Sequence, residues 1–362
     1  MILYVSKYNT ASLLFERVAV IDDATSIIWI KRYQGAGEFE LYMRATPERL
    51  ELFSSGEIML TKDGDNGGML VETVKLTTSF EEGDYITVTG RSLESILGRR
   101  IIASQLNLRM TAELAMRQIV ISVFIGGGPA RAIPNFGLTL VKNYTETIDR
   151  QFTGKNILET LSDIAHEVGY GFKLTRSGNF FLFDIFKPVD RSTRQTERPF
   201  VIFSPSFENL GNSEYERNAA EKSNAVYVAG QGQGSERIIV SAATTEAIGL
   251  LRREKWVDSR NTSSTTEEGE MTDAEYKAKL RAQGNEELSL SDILTTFSGE
   301  IINTNGYVYG VDYELGDIVS VENEYGIKGI AHVAEITEVE DETGYRMYPT
   351  LSEWQEYEIE EE

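Results

Sequence analysis

The sequence predicts a mainly β protein with α+β inserts. Three observations predict it. Residues 38–44 alternate cleanly, with Phe39, Leu41 and Met43 on one face and Glu38, Glu40, Tyr42 and Arg44 on the other, the period of a half-buried strand. Short apolar runs separated by Gly, Asp and Asn fill both ends of the chain, residues 1–103 and 311–355. Helical spacing is confined mainly to the stretches between them.

Each element has a local reason. Residues 57–62 and 69–76 flank the turn-rich Asp63-Gly64-Asp65-Asn66-Gly67-Gly68, and residues 71–80 and 85–90 flank Glu81-Glu82-Gly83-Asp84, so both joints predict hairpins. Pro47 suits the first position of a short helix over 46–54. Ser92 is the expected N-cap of another, closed by Gly98. Short strands with tight turns argue for an antiparallel meander or barrel.

A helix is expected from Thr111 to about Ser122. A second, over 156–168, has Asn156 and Glu159 in capping-box positions, an apolar stripe from Ile157 to Val168, and Gly169 at its end. A hairpin follows, turning at Ser177-Gly178-Asn179. Its Phe180, Phe181, Phe183 and Phe186 are expected in a core or an interface. Residues 225–229 predict a strand, and polar residues 261–269 an exposed loop. Thr272 with Glu275, and Met271 with Tyr276, predict a capped helix running to roughly Glu287. Residues 311–355 return to strands, with turns near 323–329 and 341–344.

A chain of 362 residues with 41% hydrophobic content can bury a real core and suggests two or three domains. It contains no cysteine, which removes disulfides, thiolate metal sites and a cysteine nucleophile. That absence fits folding in a reducing cytoplasm. Two histidines, His166 and His332, leave little for a histidine-based metal site. The N-terminus shows no secretory pattern, and no apolar run reaches the length of a bilayer span. A soluble protein with no stable membrane insertion is expected.

The net charge is −22, and residues 311–362 hold 16 Asp and Glu against only Lys328 and Arg346. An acidic chain repels phosphate, which disfavours sequence-independent DNA binding. Two readings stay open: plain solubility, or a conduit wall that must not bind DNA moving along it.

Catalytic motifs are incomplete. His166-Glu167 begins like a zinc-protease helix, but Tyr170 stands where the second His belongs. Asp63, Asp65 and Gly68 mimic the start of a calcium loop, but Gly67 and Val74 occupy ligand positions five and twelve. The glycine clusters at 126–128 and 230–234 lack the Lys and hydroxyl of a phosphate loop. No serine elbow is present. Glu335, Glu338 and Glu340 are read as solvated edge charges that discourage stray strand pairing.

Three stretches carry a family resemblance. They are Ile30-Lys31-Arg32-Tyr33-Gln34-Gly35-Ala36-Gly37-Glu38-Phe39-Glu40-Leu41, Gly316-Asp317-Ile318-Val319-Ser320-Val321, and Ile336-Thr337-Glu338-Val339-Glu340 with Gly344-Tyr345-Arg346-Met347-Tyr348-Pro349-Thr350-Leu351. In this order they resemble the hub proteins of long-tailed phages, the siphovirus Gp37-like family, from about Ile2 to Glu353. The resemblance marks Arg32, Tyr33, Gly37, Phe39, Gly316, Asp317, Gly344 and Pro349 as structural residues. It implies no catalytic, cofactor-binding or metal-binding residue and no cofactor. Gly316 fits a tight turn before a buried strand, with Asp317 accepting backbone hydrogen bonds.

The implied fold has two tail-tube-like antiparallel β-barrel domains plus decorating α+β domains. Mapped here, barrel one covers 1–103 and an α+β insert covers 104–200. Barrel two is split between 205–240 and 308–355, a helix-containing insert covers 241–307, and 356–362 form an acidic tail. The implied protein is a structural homotrimer, not an enzyme, whose six barrels join a hexameric tail tube to the tip and form or gate a channel for genome ejection. Implied partners are a distal tail or tail tube protein, a tail fibre, spike or tip protein, and a tape-measure protein. DNA would pass through without specific binding. The implied location is the virion tail tip, after assembly in the host cytoplasm. Two alternatives remain. One is a tail-associated, muramidase-like cell-wall hydrolase. The other is a receptor- or sugar-binding module, for which 17 Tyr and three Trp offer stacking surfaces. Trp29, Trp256 and Trp354 are each expected to be packed.

Overall fold

The computed structural model describes residues 1–81, 83–266, 269–291, 294–302 and 306–356. The chain divides into two compact units, Met1–Glu214 with Phe297–Glu362, and Tyr215–Thr296.

The first unit starts with β1 (Leu3–Asn9), β2 (Leu14–Ile21), β3 (Ser26–Arg32), β4 (Glu38–Arg44), α1 (Pro47–Ser54), β5 (Ile58–Lys62), β6 (Met69–Thr77) and β7 (Tyr85–Ser92). The expected alternation of β4 holds, with Phe39, Leu41 and Met43 buried. Both expected hairpins form, β5 with β6 and β6 with β7. Thr46 caps α1 by accepting the Arg49 amide. Leu93–Arg99 forms a 3-10 helix that contains Gly98 rather than ending on it. Ser92 Oγ does not cap this helix, because it accepts the Gly37 amide instead (2.8 Å).

Next come β8 (Leu106–Thr111), α2 (Ala112–Val120), β9 (Phe136–Leu138), β10 (Thr147–Phe152), α3 (Ile157–Val168), β11 (Gly171–Ser177) and β12 (Phe180–Phe186). A π-helical turn, Ile121–Ile125, continues α2 to the glycines at 126–128. Asn156 caps α3 by accepting the Leu158 and Glu159 amides, and Gly169 ends it at φ +67°. One core joins Met116 and Val120 of α2, Leu161 and Ile164 of α3, and Phe172 and Phe183 of the β11–β12 hairpin. Phe181 is buried with Phe183, while Phe180 is exposed.

The chain continues through β13 (Ile202–Phe203) and β14 (Leu210–Asn218) into the second unit. There it forms β15 (Ala225–Ala229), β16 (Ile239–Ala243), β17 (Glu254–Asp258), the short pair β18 (Thr265–Thr266) and β19 (Gly269–Glu270), and α4 (Asp273–Leu290). Thr272 and Glu275 form the expected capping box. Met271 and Tyr276 share a core with Val226, Val228, Val240 and Leu280. Residues 215–240 lie in this unit rather than in a C-terminal barrel, since β15 finds its partners in β16 and β17.

The last strands are β20 (Leu294–Ile301), β21 (Ile318–Glu322), β22 (Lys328–Asp341) and β23 (Gly344–Glu356). They complete a 13-stranded sheet with the order β14-β20-β23-β22-β3-β4-β7-β6-β5-β1-β2, to which β21 and β13 attach beside β22. This sheet corrects the expectation of two barrels. Closing a barrel requires the first and last strands of a set to pair. Here β3 pairs with β4 on one edge and with β22 on the other, so the two β-rich ends fuse into one open sheet. No closed barrel forms among the described residues. The structure is mainly β. Trp29 is 1% exposed as expected, but Trp256 is 54% exposed. The Trp354 side chain and the acidic tail beyond residue 356 lie outside the described residues.

Candidate functional site: the junction of the two chain ends

The β3–β22 ladder runs from Arg32 opposite Glu335 to Ile27 opposite Glu340. β22 is an interior strand and its carboxylates meet cations, Glu338 buried and Glu335 and Glu340 partly exposed. Arg32 Nε donates to Glu335 (2.7 Å), and Arg32 Nη1 donates to Glu38 and to the Ala36 carbonyl (both 3.0 Å). Lys62 pairs with Glu338 at 2.5 Å, and the Met1 amine pairs with Glu340. Three consecutive carboxylates of β22 are therefore held by three cations from the first 62 residues. Glu338, expected at a solvated edge, is 6% exposed.

The Lys62 contact extends into a buried chain of charge. Tyr345 donates to Glu338 (3.0 Å), and the Lys62 ammonium lies 5.3 Å from the centre of the Trp29 ring. Lys31 pairs with Asp65 at 2.7 Å. Burial pushes the Lys62 ammonium below its ordinary range, against the pull of Glu338. Burial also pushes Asp65 up, but Lys31 and the Gly67 amide outweigh it and hold the carboxyl below its usual range. Asp65 is thus a lysine partner, and Asp63 accepts the Tyr4 hydroxyl (3.0 Å). No cluster suited to a metal occurs among the described residues.

The glycines of the junction are fixed by close approach. A Cβ on Gly37 would lie 2.0 Å from the Ile30 carbonyl oxygen. At Gly316, φ is +96°, and a Cβ would lie 3.0 Å from the Tyr33 ring and 3.2 Å from Phe186. Tyr33 is buried there, stacked on His332 with ring centres 5.8 Å apart. Its amide donates to the Ala334 carbonyl, and its carbonyl accepts the Phe172 amide. His332 Nδ1 lies 2.9 Å from the Gly316 carbonyl oxygen. Asp317 accepts three hydrogen bonds, from the Val189 and Glu314 amides (both 3.0 Å) and Arg191 Nε (2.7 Å).

Arg32, Tyr33, Gly316 and Asp317 thus converge through His332, Val333 and Glu335. Phe39 lies in the neighbouring core beside Trp29, with ring centres 6.2 Å apart. Gly344 closes the β22–β23 hairpin at φ +113°. Pro349 stands opposite Ile336, next to the register shift at Val333–Glu335 where a missing N–H is tolerated.

A cavity of about 130 Å³ borders Lys31, Asp65, Glu94 and Phe172. Glu94 accepts the Leu174 amide (2.8 Å) and the Ser92 hydroxyl, tying β7 to β11. Burial pushes its carboxyl up. Sequence reading missed Glu94, Lys62 and His332, since each acquires its role only from a strand distant in the chain. Chemically, the junction is a lock of ion pairs and close backbone contacts. It presents no nucleophile held by a base.

The sequence matches the family described as Siphovirus ReqiPepy6 Gp37-like protein over residues 12–351. The chain belongs to this family. None of the curated proteins matches it. Among solved structures it resembles the tail protein from Neisseria meningitidis MC58, with 16% identity and a TM-score of 0.55, covering 97% of this chain and 96% of that one. It also resembles the 43 kDa tail protein of prophage MuSo2 from Shewanella oneidensis, with 14% identity and a TM-score of 0.52, covering 97% and 98%. At these identities the likeness is one of fold. The Gp37-like chain therefore carries a β-rich fold shared with phage tail proteins along its whole length.

Proposed function

We propose that this Gp37-like protein is the structural hub of a phage or phage-like tail tip. In this reading it is a homotrimer that joins the hexameric tail tube to the tip and forms or gates the channel for genome ejection. The observation that carries the reading is the junction itself. The residues shared in resemblance with hub proteins tie the two chain ends into one sheet, as a load-transmitting scaffold requires. The fold likeness to two tail proteins along their full lengths supports it.

The sheet offers a surface for assembly. β2 ends it, and Val18 and Val20 are each half exposed there. An apolar end strand of this kind suits coverage by a neighbouring subunit. The partners in this reading are the distal tail or tail tube protein, a fibre, spike or tip protein, and the tape-measure protein. DNA passes an acidic wall without binding. The hydrolase alternative gains nothing from β22, whose three glutamates are all paired with cations.

Cryo-electron microscopy with solution mass tests the proposal, using the protein alone and mixed with its tube protein. A threefold ring with a central channel is expected. A monomer in both samples overturns it.

A further inference from the structure

The second unit holds a surface that the hub reading does not use. Its sheet has the strand order β16–β15–β17. α4 covers one face, where Val226 and Val228 pack on Tyr276 and Leu280. Lys255 points to that face, pairing with Glu287 (2.9 Å) and donating to Ser291 (3.1 Å). Strand alternation sends Glu254, Trp256 and Asp258 to the opposite face, beside Tyr227. There Trp256 is 54% exposed.

This face is built around the indole. Glu254 and Asp258 stand two residues either side of Trp256, about 7 Å away along the strand. Arg252 Nε donates to Glu254 (2.6 Å), Arg237 Nη2 donates to one oxygen of Asp258 (2.5 Å), and Arg260 pairs with the other (3.0 Å). The Arg237 guanidinium also lies 5.7 Å from the centre of the Trp256 ring. Arg252 holds the Glu254 carboxyl below its ordinary range, so it is an acceptor at neutral pH.

We propose that this face binds carbohydrate, with the apolar face of a pyranose on Trp256 and ring hydroxyls donating to Glu254 and Asp258. The chemistry excludes the other broad classes in turn. Arg237, Arg252 and Arg260 each already pair with one of the two carboxylates, so none of these guanidiniums is left over to hold a nucleic-acid phosphate. A purely apolar partner would strip water from these three arginine–carboxylate contacts with nothing to replace it. A polyol replaces that water with its own hydroxyls while the indole takes its C–H face. All the residues of this face belong to the second unit.

The test uses the full chain. Retention is measured on insoluble chitin, cellulose and purified peptidoglycan sacculi, and soluble chitotetraose and cellotetraose are titrated by calorimetry. The wild-type chain is expected to bind at least one of these. Trp256→Ala lowers that affinity at least tenfold, Trp256→Phe keeps most of it, and Asp258→Asn falls between. Absence of binding to the whole panel by folded wild-type protein overturns the proposal. Equal binding by Trp256→Ala also overturns it. A change in solution mass on Trp256→Ala without saccharide binding would assign the face to contact between copies and sink it too.

Discussion

The two sheets of this molecule treat their polar residues in opposite ways. In the 13-stranded sheet, the glutamates of β22 find cations from the other end of the chain, and Glu338 is buried with its partner. In the three-stranded sheet of the second unit, the charges of β17 stay at the surface around an exposed tryptophan. Two carboxylates sharing one face of a strand occur in both, Glu338 and Glu340 on β22 and Glu254 and Asp258 on β17. The difference teaches that a charged strand is interpretable only when its neighbours on each edge are known. The first sheet gains rigidity and register from its charges; the second keeps its charges available to a ligand.

The largest effect that would break this contrast lies at Gly37. Any Cβ there meets the Ile30 carbonyl, so the β3–β4 turn must move. Gly37→Ala is expected to cost more than about 5 kcal/mol, beyond the usual range for one substitution. Urea unfolding of the first unit, or failure to recover folded protein, reads it. A normal urea midpoint would mean that the approach of the two strands is not as close as described. Next comes Lys62→Met, which leaves Glu338 buried without its cation. A loss of about 3–5 kcal/mol is expected. Glu338→Gln in the same chain is expected to restore at least half of it. A double-mutant cycle showing plain additivity would mean that the pair does not couple the chain ends.

Much of the first sheet was legible residue by residue. The alternation of Phe39, Leu41 and Met43, the turn at residues 63–68 and the Asn156 cap are local signals, and local physics determines them. The β3–β22 ladder has no such signal, because it pairs residues some 300 positions apart. Without it the two β-rich ends read as two separate barrels, and Glu338 reads as an edge charge. Gly316 and Asp317 were legible as a turn and a backbone acceptor, and Tyr33 as a structural residue, but the packing of Tyr33 and His332 around Gly316 was not. Trp256 was misjudged for a related reason: alternation tells which face a side chain takes, not whether a helix covers that face.

A smaller effect separates two carboxylates of the first unit by pH. Burial raises the pKa of Glu94 above its unfolded value near 4.5, so the folded state holds its proton more tightly. The stability it contributes is full below pH 4.5 and is lost as pH rises through the folded pKa. Glu146 is the opposite case. Hydrogen bonds from Lys187 and Tyr170 lower it to about 2, so its contribution is full above pH 4.5 and is lost as pH falls towards 2. Wild-type and Glu94→Gln melting temperatures are therefore expected to differ least favourably for the variant at acid pH and to converge or cross as pH rises. Glu146→Gln is expected to destabilise at neutral pH and approach wild type near pH 2. Parallel curves for both variants would refute the assignment.

The smallest effect sharpens the contrast from the other side. If the β17 face is kept for a ligand, removing its centre should leave the fold almost unchanged. Trp256→Ala is expected to shift stability by no more than about 0.5 kcal/mol, the usual range for a surface position. Trp29→Ala, at the fully buried indole of the first sheet, is expected to cost about 3–5 kcal/mol. The same residue type thus gives two answers in one molecule, read by urea unfolding of each variant. A cost at Trp256 comparable to that at Trp29 would mean that its ring packs as a core residue, and the inward–outward distinction between the two sheets would fail.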